Sequence, residues 1–374
     1  MTPVSVVIAG GGTGGHLYPG LAVARELLRQ EPAAVVTFAG TARGIEAGLV
    51  PREGFELDVI RSTGLKNMSP GALARGLALL PVGAADAWRI VSKRRPDLVI
   101  GVGGYSSGPV VLVAALRGVP TMLLEQNAVP GLTNRTLARL VSAAAVTFEP
   151  TLAFFGGRGF VAGNPVRREF FEPDPPGDQA PLHERAAPTR VLIFGGSQGA
   201  HAINMAMVEA APRLAAFDRR LAITHQTGQR DLALVRDGYR QAGLEARVEP
   251  FLYEMHKDMK AADLLVCRAG ATTIAELTAA GKAALLIPLP TAADDHQRKN
   301  AEMLAAAGAA EVIEQRQLTG ELLADRISTL AADSDRRAAM ARAARHFARP
   351  DAARLIVERA LRLASASRRF RTGR

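Results

Sequence analysis

The chain has 374 residues, of which 48% are hydrophobic and only 5% aromatic, with 36 glycines and a formal net charge of +10 at pH 7. This length favours two domains, and the composition excludes a disordered or fibrous protein. No apolar run reaches the roughly 20 residues that span a bilayer and no signal sequence precedes the first strand, so we expect a cytoplasmic protein. The basic excess favours anionic partners, but neither zinc-finger spacing nor an aromatic RNA-binding motif supports nucleic acid.

The first predicted element is a hydrophobic strand, Val4–Ile8, that runs into a glycine-rich turn, Gly10–His16, and then into a helix. Glycine permits the sharp turn, and the helix N-terminus offers unpaired N–H groups to an anion. Short apolar runs that alternate with helical patterns then predict a parallel sheet covered on both faces. These runs are Val35–Ala39, Leu57–Ile60, Leu98–Val102, Thr121–Leu124 and Ala143–Phe148.

The first glycine turn is also compatible with a dinucleotide site, because Gly10, Gly12 and Gly15 match G-x-G-x-x-G after a strand. The acidic residue that binds the ribose of NAD is missing at the end of the second strand, in residues 38–43, which leaves at best an NADP-linked oxidoreductase. His16 closes the turn. Its imidazole can take a proton from an attacking hydroxyl, or it can simply hydrogen-bond a ligand or the loop.

The segment from Ser69 to Trp88 is predicted to begin as a helix, with serine as the cap and proline at the first position. Leu73, Leu77 and Leu80 recur at helical spacing. An apolar stripe with basic flanks suits docking on anionic lipid, and packing in the core is the alternative. The basic flanks are Arg61, Lys66, Arg75, Arg89, Lys93, Arg94 and Arg95.

A further strand ends in glycines at residues 101–109, where hydroxyl side chains follow. This pattern predicts a ligand contact, because open α/β sheets bind ligands at the carboxyl ends of their strands. The proline-rich stretch from Glu172 to Pro188 suits neither helix nor central strand, so we place the interdomain connection there, starting near Asn164.

The strand, glycine turn and helix recur in the second half, where Val191–Phe194 runs into Gly195–Gly199. Two phosphate-binding turns predict two domains that face one cleft and bind substrates carrying diphosphates. The segment Ala338–Ala364 is expected to be strongly helical and to pack back across the first domain. The remaining predicted strands are Leu221–His225, Val248–Phe251, Leu264–Arg268 and Ala284–Pro288.

The segment Cys267–Glu276 again reads as strand, glycine and helix. Glu276, about one turn into the helix, can accept both hydroxyls of a ribose while Thr273 and the loop amides hold phosphate. Alternatively, the Glu276 carboxylate only complements the helix N-terminus. Adjacent carboxylates in the polar loop 294–297 do not make a convincing metal site, and the amides of Gln297 and Asn300 are placed to bind sugar hydroxyls.

Taken in order, a series of motifs resembles the MurG family of glycosyltransferases over nearly the whole chain, to about residue 345. The family's members transfer N-acetylglucosamine from a UDP-sugar and complete the lipid-linked disaccharide precursor of peptidoglycan. The motifs are Gly11–His16, Gly103–Tyr105, Glu125–Asn127, Gly163–Arg167, Gly195–Ala200, Arg268–Glu276 and the His296-Gln297 pair with Asn300-Ala301.

The resemblance implies an α/β protein of the glycosyltransferase B architecture, with two Rossmann-like parallel-sheet domains facing a deep cleft. Residues 1–165 would face the acceptor and the membrane, residues 166–344 would bind the UDP-sugar, and a helix at about 345–374 would pack back on the first domain. The family's reaction is inverting: the C4 hydroxyl of the muramyl sugar attacks the α-linked donor, giving a β-1,4 bond.

The resemblance also implies site residues. His16 is the candidate base, Glu125 a second candidate catalytic residue, and the acceptor diphosphate would meet Gly12, Gly103, Gly104, Tyr105 and Ser106. The UDP-N-acetylglucosamine contacts would be Thr13, Gly14, Gly15, Asn127, Arg167, Ser197, Leu252, Ala271, Thr272, Thr273, Ile274, Ala275, Glu276 and Gln297.

No metal and no cofactor are expected, since UDP-N-acetylglucosamine is a substrate. The expected partners are that nucleotide sugar, a polyprenyl-diphosphate-linked muramyl-pentapeptide and anionic lipid, with the protein peripheral at the cytoplasmic face of the cell membrane. Two alternatives remain open at this point: another UDP-sugar transferase with a lipid acceptor, and an NADP-linked Rossmann oxidoreductase.

Overall fold

The computed structural model describes residues 3–62, 70–171, 188–196, 199–218, 220–292 and 295–372, and for residues 70–78 and 369–372 it describes the backbone alone. The chain forms two compact units. Unit 1 comprises Met1–Arg167 with Arg349–Arg374, and unit 2 comprises Arg168–Ala348. The predicted stripe positions Leu73 and Leu77 therefore have no described side chains, and Ser69, Lys66 and most of the proline-rich stretch lie outside the described residues.

Unit 1 is built on a seven-stranded parallel sheet with the order β3-β2-β1-β4-β5-β6-β7. Its strands are β1 (Ser5–Gly10), β2 (Val35–Gly40), β3 (Glu56–Val59), β4 (Leu98–Gly103), β5 (Thr121–Glu125), β6 (Ala143–Val146) and β7 (Gly159–Val161). The helices between them are α1 (Gly14–Gln30), α2 (Glu46–Arg52), α3 (Pro70–Arg94), α4 (Ser107–Leu116) and α5 (Leu132–Leu137), with short 3-10 turns at Glu149–Phe154 and Gly156–Arg158; a further 3-10 turn, Arg168–Phe170, begins unit 2.

The central strands of unit 1 are buried on both faces. Ile8 and Ile100 pack with one set of helices, whereas Val7 and Val99 pack with the other, and all four side chains are inaccessible to solvent. Alternate residues of each strand thus enter separate hydrophobic clusters. This is the arrangement that uninterrupted apolar strands with helical connections require.

Unit 2 repeats the construction with a six-stranded parallel sheet of order β10-β9-β8-β11-β12-β13. Its strands are β8 (Thr189–Phe194), β9 (Leu221–Gln226), β10 (Ala246–Glu249), β11 (Leu264–Cys267), β12 (Ala283–Leu286) and β13 (Ala310–Val312). Its helices are α6 (His201–Ala215), α7 (Leu232–Ala242), α8 (Met255–Ala261), α9 (Ala271–Ala280), α10 (His296–Ala306), α11 (Gly320–Ala332) and α12 (Ser334–Arg345), with a 3-10 turn at Gln315–Gln317.

The strand order reverses once in each sheet, between β1 and β4 in unit 1 and between β8 and β11 in unit 2. Connections leave in opposite directions at such a point, so the carboxyl ends of the two strands border a crevice. Each glycine turn stands at one of these reversals. The α/β class with two Rossmann-like sheets is therefore confirmed.

The C-terminal segment, predicted to be helical over Ala338–Ala364, is divided between two helices. Helix α12 ends at Arg345 and packs on α9 within unit 2, whereas α13 (Ala352–Thr372) packs on α1 within unit 1. Pro350 lies between them, and proline both lacks a backbone donor and disfavours helical geometry in the residue before it. Ile356 and Val357 of α13 are completely buried in the core of unit 1.

Candidate active site

The turn after β1 is held by a buried carboxylate. Glu46, at the start of α2, accepts hydrogen bonds from the Gly12 backbone N–H at 2.8 Å, the Thr41 N–H at 2.8 Å and the Thr41 hydroxyl at 2.7 Å. Burial alone would raise the pKa of Glu46, but these hydrogen bonds lower it below its ordinary value. A negative charge already uses the Gly12 N–H, so this turn is poorly suited to the pyrophosphate of NADP.

Replacement of this carboxylate tests its contribution to stability. We expect Glu46→Gln to lower the free energy of unfolding of unit 1 by about 1.5–3 kcal/mol at pH 7, because the amide turns a donor toward N–H groups. A depressed folded-state pKa contributes stability above the unfolded value of about 4.3, and this stability is lost as the pH falls through the folded value. The difference between variant and wild type should therefore shrink below pH 4.

Urea unfolding followed by tryptophan fluorescence measures this effect, because Trp88 is the chain's one tryptophan and lies in unit 1. Glu53→Gln is the control, since its carboxylate is partly exposed and pairs with Arg25 at the surface. If the difference in free energy of unfolding between wild type and Glu46→Gln stayed constant from pH 7 to pH 3.5, this role for the ionised carboxylate would be contradicted.

His16 lies in the first turn of α1 beside the end of β4. Its Nδ1 shares a hydrogen bond with the Thr13 hydroxyl at 3.3 Å. The ring packs directly on Gly103, where a Cβ would lie 2.7 Å from His16 Cδ2. His16 is half-buried and its neighbours Thr13 and Gly15 are exposed, so the structure brings three predicted site residues together at the reversal between β1 and β4.

The turn after β4 leads into α4 and carries hydroxyl groups. Tyr105 is 41% exposed, and its backbone carbonyl accepts a hydrogen bond from Ser62 Oγ at 3.0 Å. The side chains of Ser106 and Ser107 are buried, and neither hydroxyl has a hydrogen-bond partner among the described residues. Unpartnered hydroxyls at a helix N-terminus are groups that can bind an anion.

Glu125, at the end of β5, organises its own loop. Its Oε1 accepts from the Asn127 N–H at 3.0 Å and the Asn127 Nδ2 at 3.3 Å, and its Oε2 accepts from the Gly131 N–H at 3.1 Å and the Asn134 Nδ2 at 2.8 Å. Burial raises the pKa of Glu125, although these hydrogen bonds act in the opposite direction. Both carboxylate oxygens are engaged, and the result is a fixed position for Asn127.

Arg167 ends the part of unit 1 that precedes the crossing into unit 2. Its guanidinium lies over the Tyr18 ring, 5.0 Å from the ring centroid, and is half-buried. A guanidinium held on an aromatic face keeps its charge and its remaining donor directions. Arg167 is thus positioned by α1, the same helix that carries His16.

In unit 2 the turn after β8 is fixed by its neighbours on β9. The Gln226 side chain donates to the Gly196 carbonyl at 2.8 Å, and Gly199 packs against the Thr227 carbonyl. Gly196 and Gly199 both have positive φ angles, +95° and +76°. Ser197, a predicted diphosphate contact, lies outside the described residues.

A buried polar network supports this turn from behind. Asn204 donates to the Thr227 carbonyl at 2.9 Å and to Asp231 at 2.8 Å, and it contacts His225 Nε2 at 3.1 Å. Burial lowers the pKa of His225 to about 3, so its imidazole is neutral. His201 is half-exposed and hydrogen-bonds Asp231 at 2.9 Å.

The N-terminus of α9 follows β11 at the second strand reversal. Gly270 occupies the N-cap position of α9 in an extended conformation and, as glycine, has no side chain that could cap the helix. Ala271, Thr272, Ile274 and Glu276 are buried there, and Thr273 and Ala275 are half-buried. Leu252, another predicted contact of the UDP-sugar, is also buried, at 3% exposure. Predicted donor contacts thus cluster at one edge of this sheet.

Gln297 lies in the first turn of α10, after β12. Its Oε1 accepts a hydrogen bond from the Leu289 N–H at 3.0 Å, so the side chain is fixed to the preceding loop. Asn300 is buried and donates to the Ala269 carbonyl at 3.3 Å. Asp294 lies outside the described residues, and within them no group of three His, Cys, Asp or Glu side chains is arranged to hold a metal ion.

Some residues of this site were not predicted from the sequence. Glu46 and the Asn204 network act across long sequence separations, and a single sequence shows no pattern that pairs them with the turns they support. The position of Glu46 at the start of a short helix was the only available signal. Asn204, three residues after His201, sits on the buried face of α6 at helical spacing.

Family models match both halves of the chain. The N-terminal domain of glycosyltransferase family 28 matches residues 6–146, and the C-terminal domain of that family matches residues 190–356. These ranges contain both glycine turns and both strand reversals.

Curated relatives match most of the chain. A protein of Anaeromyxobacter sp. (strain Fw109-5) is 49% identical over 354 residues, which cover 94% of this chain and 92% of the relative. A protein of Myxococcus xanthus (strain DK1622) is 44% identical over 356 residues, which cover 95% of this chain and 92% of the relative. Both are named UDP-N-acetylglucosamine–N-acetylmuramyl-(pentapeptide) pyrophosphoryl-undecaprenol N-acetylglucosamine transferase.

Solved structures agree with this. The crystal structure of Acinetobacter baumannii MurG is similar with a TM-score of 0.75 at 33% identity, covering 96% of this chain and all of that one. The calicheamicin glycosyltransferase CalG4 matches with a TM-score of 0.69 at 18% identity, covering 98% and 99%, which shows the shared fold alone. In the described part of this chain, no helix is long and apolar enough to cross a membrane.

Proposed function

The chain belongs to glycosyltransferase family 28 and, within it, to the MurG group, and on that premise we propose that it transfers N-acetylglucosamine from UDP-N-acetylglucosamine to the C4 hydroxyl of the muramyl sugar of undecaprenyl-diphospho-muramoyl-pentapeptide. The proposal rests on the N-terminus of α9, where uncapped backbone amides and a buried carboxylate, Glu276, stand one helical turn apart. Amides suit a phosphate and a carboxylate suits the two hydroxyls of a ribose. A nucleoside diphosphate requires this pairing of groups.

Unit 2 binds the nucleotide. The backbone at Leu252 contacts uracil, Glu276 accepts from the ribose hydroxyls, and residues 271–275 with Ser197 hold the diphosphate. Gln297 contacts the sugar. From unit 1, Asn127 and residues 13–15 contact the donor sugar and Arg167 the diphosphate. Glu125 acts as a positioning residue for Asn127, because its own carboxylate oxygens are occupied by four hydrogen bonds within the loop.

Unit 1 binds the acceptor and supplies the base. The acceptor diphosphate meets Gly103, Gly104, Tyr105 and Ser106, where α4 begins with an unpartnered buried hydroxyl, whereas the Gly12 N–H predicted to join them is taken by Glu46. His16 accepts the proton of the C4 hydroxyl as that oxygen bonds to the anomeric carbon. The bond between this carbon and the UDP oxygen breaks on the opposite face, and its electron pair leaves with UDP, so the configuration inverts from α to β.

The charge that develops on UDP is stabilised by fixed groups, namely the α9 amides and the Arg167 guanidinium. Preorganised dipoles and cations of this kind can supply several kcal/mol to a transition state. We therefore include neither a metal ion nor an organic cofactor in the proposed reaction.

Thermal unfolding with added nucleotides tests the class of ligand. We expect UDP at about 100 times its Kd to stabilise unit 2 by about 2.7 kcal/mol, which corresponds to a rise of roughly 5–10 °C in Tm. NADPH at the same concentration should leave Tm unchanged, because the Gly12 N–H already binds Glu46. Stabilisation by NADPH without stabilisation by UDP would instead favour an oxidoreductase.

The location proposed for the enzyme is peripheral, at the cytoplasmic face of the cell membrane. Helices α3 and α4 pack together and expose apolar side chains: Leu80 and Trp88 on α3, and Leu112 and Leu116 on α4. We call these four side chains the α3–α4 patch. Arg117 stacks on the Trp88 ring at 4.5 Å, and Arg61, which precedes α3, and Arg89 and Lys93, on α3, expose cationic side chains that pair with Asp86 or Asp58. Apolar and basic groups together suit anionic lipid.

Vesicle sedimentation tests the α3–α4 patch. We expect wild type to bind vesicles containing phosphatidylglycerol. The double variant Leu80→Glu/Trp88→Glu should lower the partition coefficient at least tenfold, because each substitution removes roughly 2 kcal/mol of favourable apolar burial in the membrane. The matched control is Leu234→Glu, since Leu80 and Leu234 are both 46% exposed and Leu234 lies in unit 2. Equal binding by wild type and the double variant would rule out this patch.

A further inference from the structure

Arg268 has an unusual position for a cation. It follows directly after β11, the strand at the reversal in unit 2, and its residue is only 9% exposed. Its Nη1 donates to the Ile287 carbonyl at 3.0 Å and the Pro288 carbonyl at 3.3 Å, and its Nη2 donates to Gln315 Oε1 at 2.7 Å. One guanidinium therefore joins the carboxyl ends of β11, β12 and β13.

All these partners of Arg268 are neutral. In the part of the chain that the structure describes, no carboxylate forms an ion pair with its guanidinium. Burial lowers the pKa of Arg268 to about 10, so the group is still charged at neutral pH. Burying a cation without a counter-ion is unfavourable. Packing alone would be served better by an apolar side chain, which points to a role in the site itself.

The loop that Arg268 holds leads directly to Gln297. Ile287 and Pro288 accept its hydrogen bonds, and the next residue, Leu289, donates its N–H to Gln297 Oε1 at 3.0 Å. A backbone N–H requires an acceptor, so this contact orients the amide with Oε1 toward the loop and Nε2 away from it. The orientation of the Gln297 amide thus depends on the loop that Arg268 fixes.

We propose that Arg268 is a positioning residue for the donor sugar: by holding the carbonyls of Ile287 and Pro288, it fixes the loop that orients the Gln297 amide toward the hydroxyls of the UDP-linked sugar. This inference rests on the proposed function, which makes Gln297 a sugar contact. The planar guanidinium of Arg268 donates to two backbone carbonyls and one amide oxygen at once. A lysine keeps the charge but presents a single ammonium, which cannot donate in all of these directions.

Calorimetric titration of wild type, Arg268→Lys and Gln297→Ala with UDP and with UDP-N-acetylglucosamine tests the proposal. We expect Arg268→Lys to bind UDP within about twofold of wild type, since the charge remains, and to bind UDP-N-acetylglucosamine about tenfold more weakly. The double variant Arg268→Lys/Gln297→Ala should bind UDP-N-acetylglucosamine no more weakly than either single variant. The two losses of binding free energy are not additive, because both residues act through one contact.

The matched control is Arg236→Lys, because Arg236 also donates two hydrogen bonds to a backbone carbonyl, that of Val248, but on α7. It should leave both affinities unchanged. Equal weakening of UDP and the UDP-sugar by Arg268→Lys, wild-type affinity for both, or additive effects with Gln297→Ala would each overturn the proposal. A wild type that binds neither nucleotide would instead overturn the proposed function.

Discussion

Gly199→Ala is expected to raise the Kd for UDP at least tenfold and to lower the free energy of unfolding of unit 2 by about 2–4 kcal/mol. Gly199 has a φ of +76°, which a residue with a Cβ adopts only with strain. A Cβ there would lie 1.9 Å from the Thr227 carbonyl oxygen, well inside contact distance. The turn after β8 must therefore move, and its amides move with it.

The clash, rather than the backbone angle alone, should cause most of this loss. Gly243→Ala separates the two, because Gly243 has a φ of +70° at the C-terminus of α7 and nothing lies within 4 Å of its Cβ position. We expect this control to cost about 1 kcal/mol and to leave UDP binding unchanged. If Gly199→Ala bound UDP like wild type in a calorimetric titration, the turn after β8 would not belong to the nucleotide site.

His16→Ala is expected to lower kcat for sugar transfer by about 10²–10³, with the KM for UDP-N-acetylglucosamine changed by less than about threefold. A general base acts in the transition state, so its removal lowers kcat rather than donor binding. Both substrates should be varied in a continuous assay of UDP release.

His16→Gln distinguishes a base from a residue that only hydrogen-bonds. Glutamine can keep a hydrogen bond to Thr13, which the wild-type imidazole makes at 3.3 Å, but it cannot accept a proton at neutral pH. We expect His16→Gln to be as slow as His16→Ala. Recovery of most of the wild-type kcat by glutamine would show that His16 only holds the turn or a ligand.

The alternation of strand and helix could be predicted because the strands are short, apolar and separated by glycine turns. The strands of Val6–Ala9 and Val191–Phe194 are buried on both sides, so their patterns are uninterrupted. β7 and β13 were missed because each has only three residues and carries exposed or half-buried positions. The break between α12 and α13 was missed because alanine and arginine dominate both helices and hide the effect of Pro350.

The positions of both glycine turns could also be predicted, since each follows a strong strand signal. The residues that support these turns could not be predicted. Glu46 reaches Gly12 across 34 residues and Asn204 reaches Asp231 across 27, and neither distance has a local signature. Arg268 was recognisable only as part of a motif, because the carbonyls it holds belong to the loop that follows a different strand, β12. Long-range polar contacts of this kind can be identified only when the fold is known.

The decisive assay is transfer of radiolabelled N-acetylglucosamine from UDP-N-acetylglucosamine to a lipid-linked muramyl-pentapeptide, with wild type compared with Glu276→Ala. We expect a lipid-linked disaccharide with wild type and an increase of at least tenfold in the donor KM for Glu276→Ala, because the variant lacks the buried carboxylate that binds the ribose. A folded wild type that binds UDP but yields no lipid-linked disaccharide would contradict the assigned acceptor.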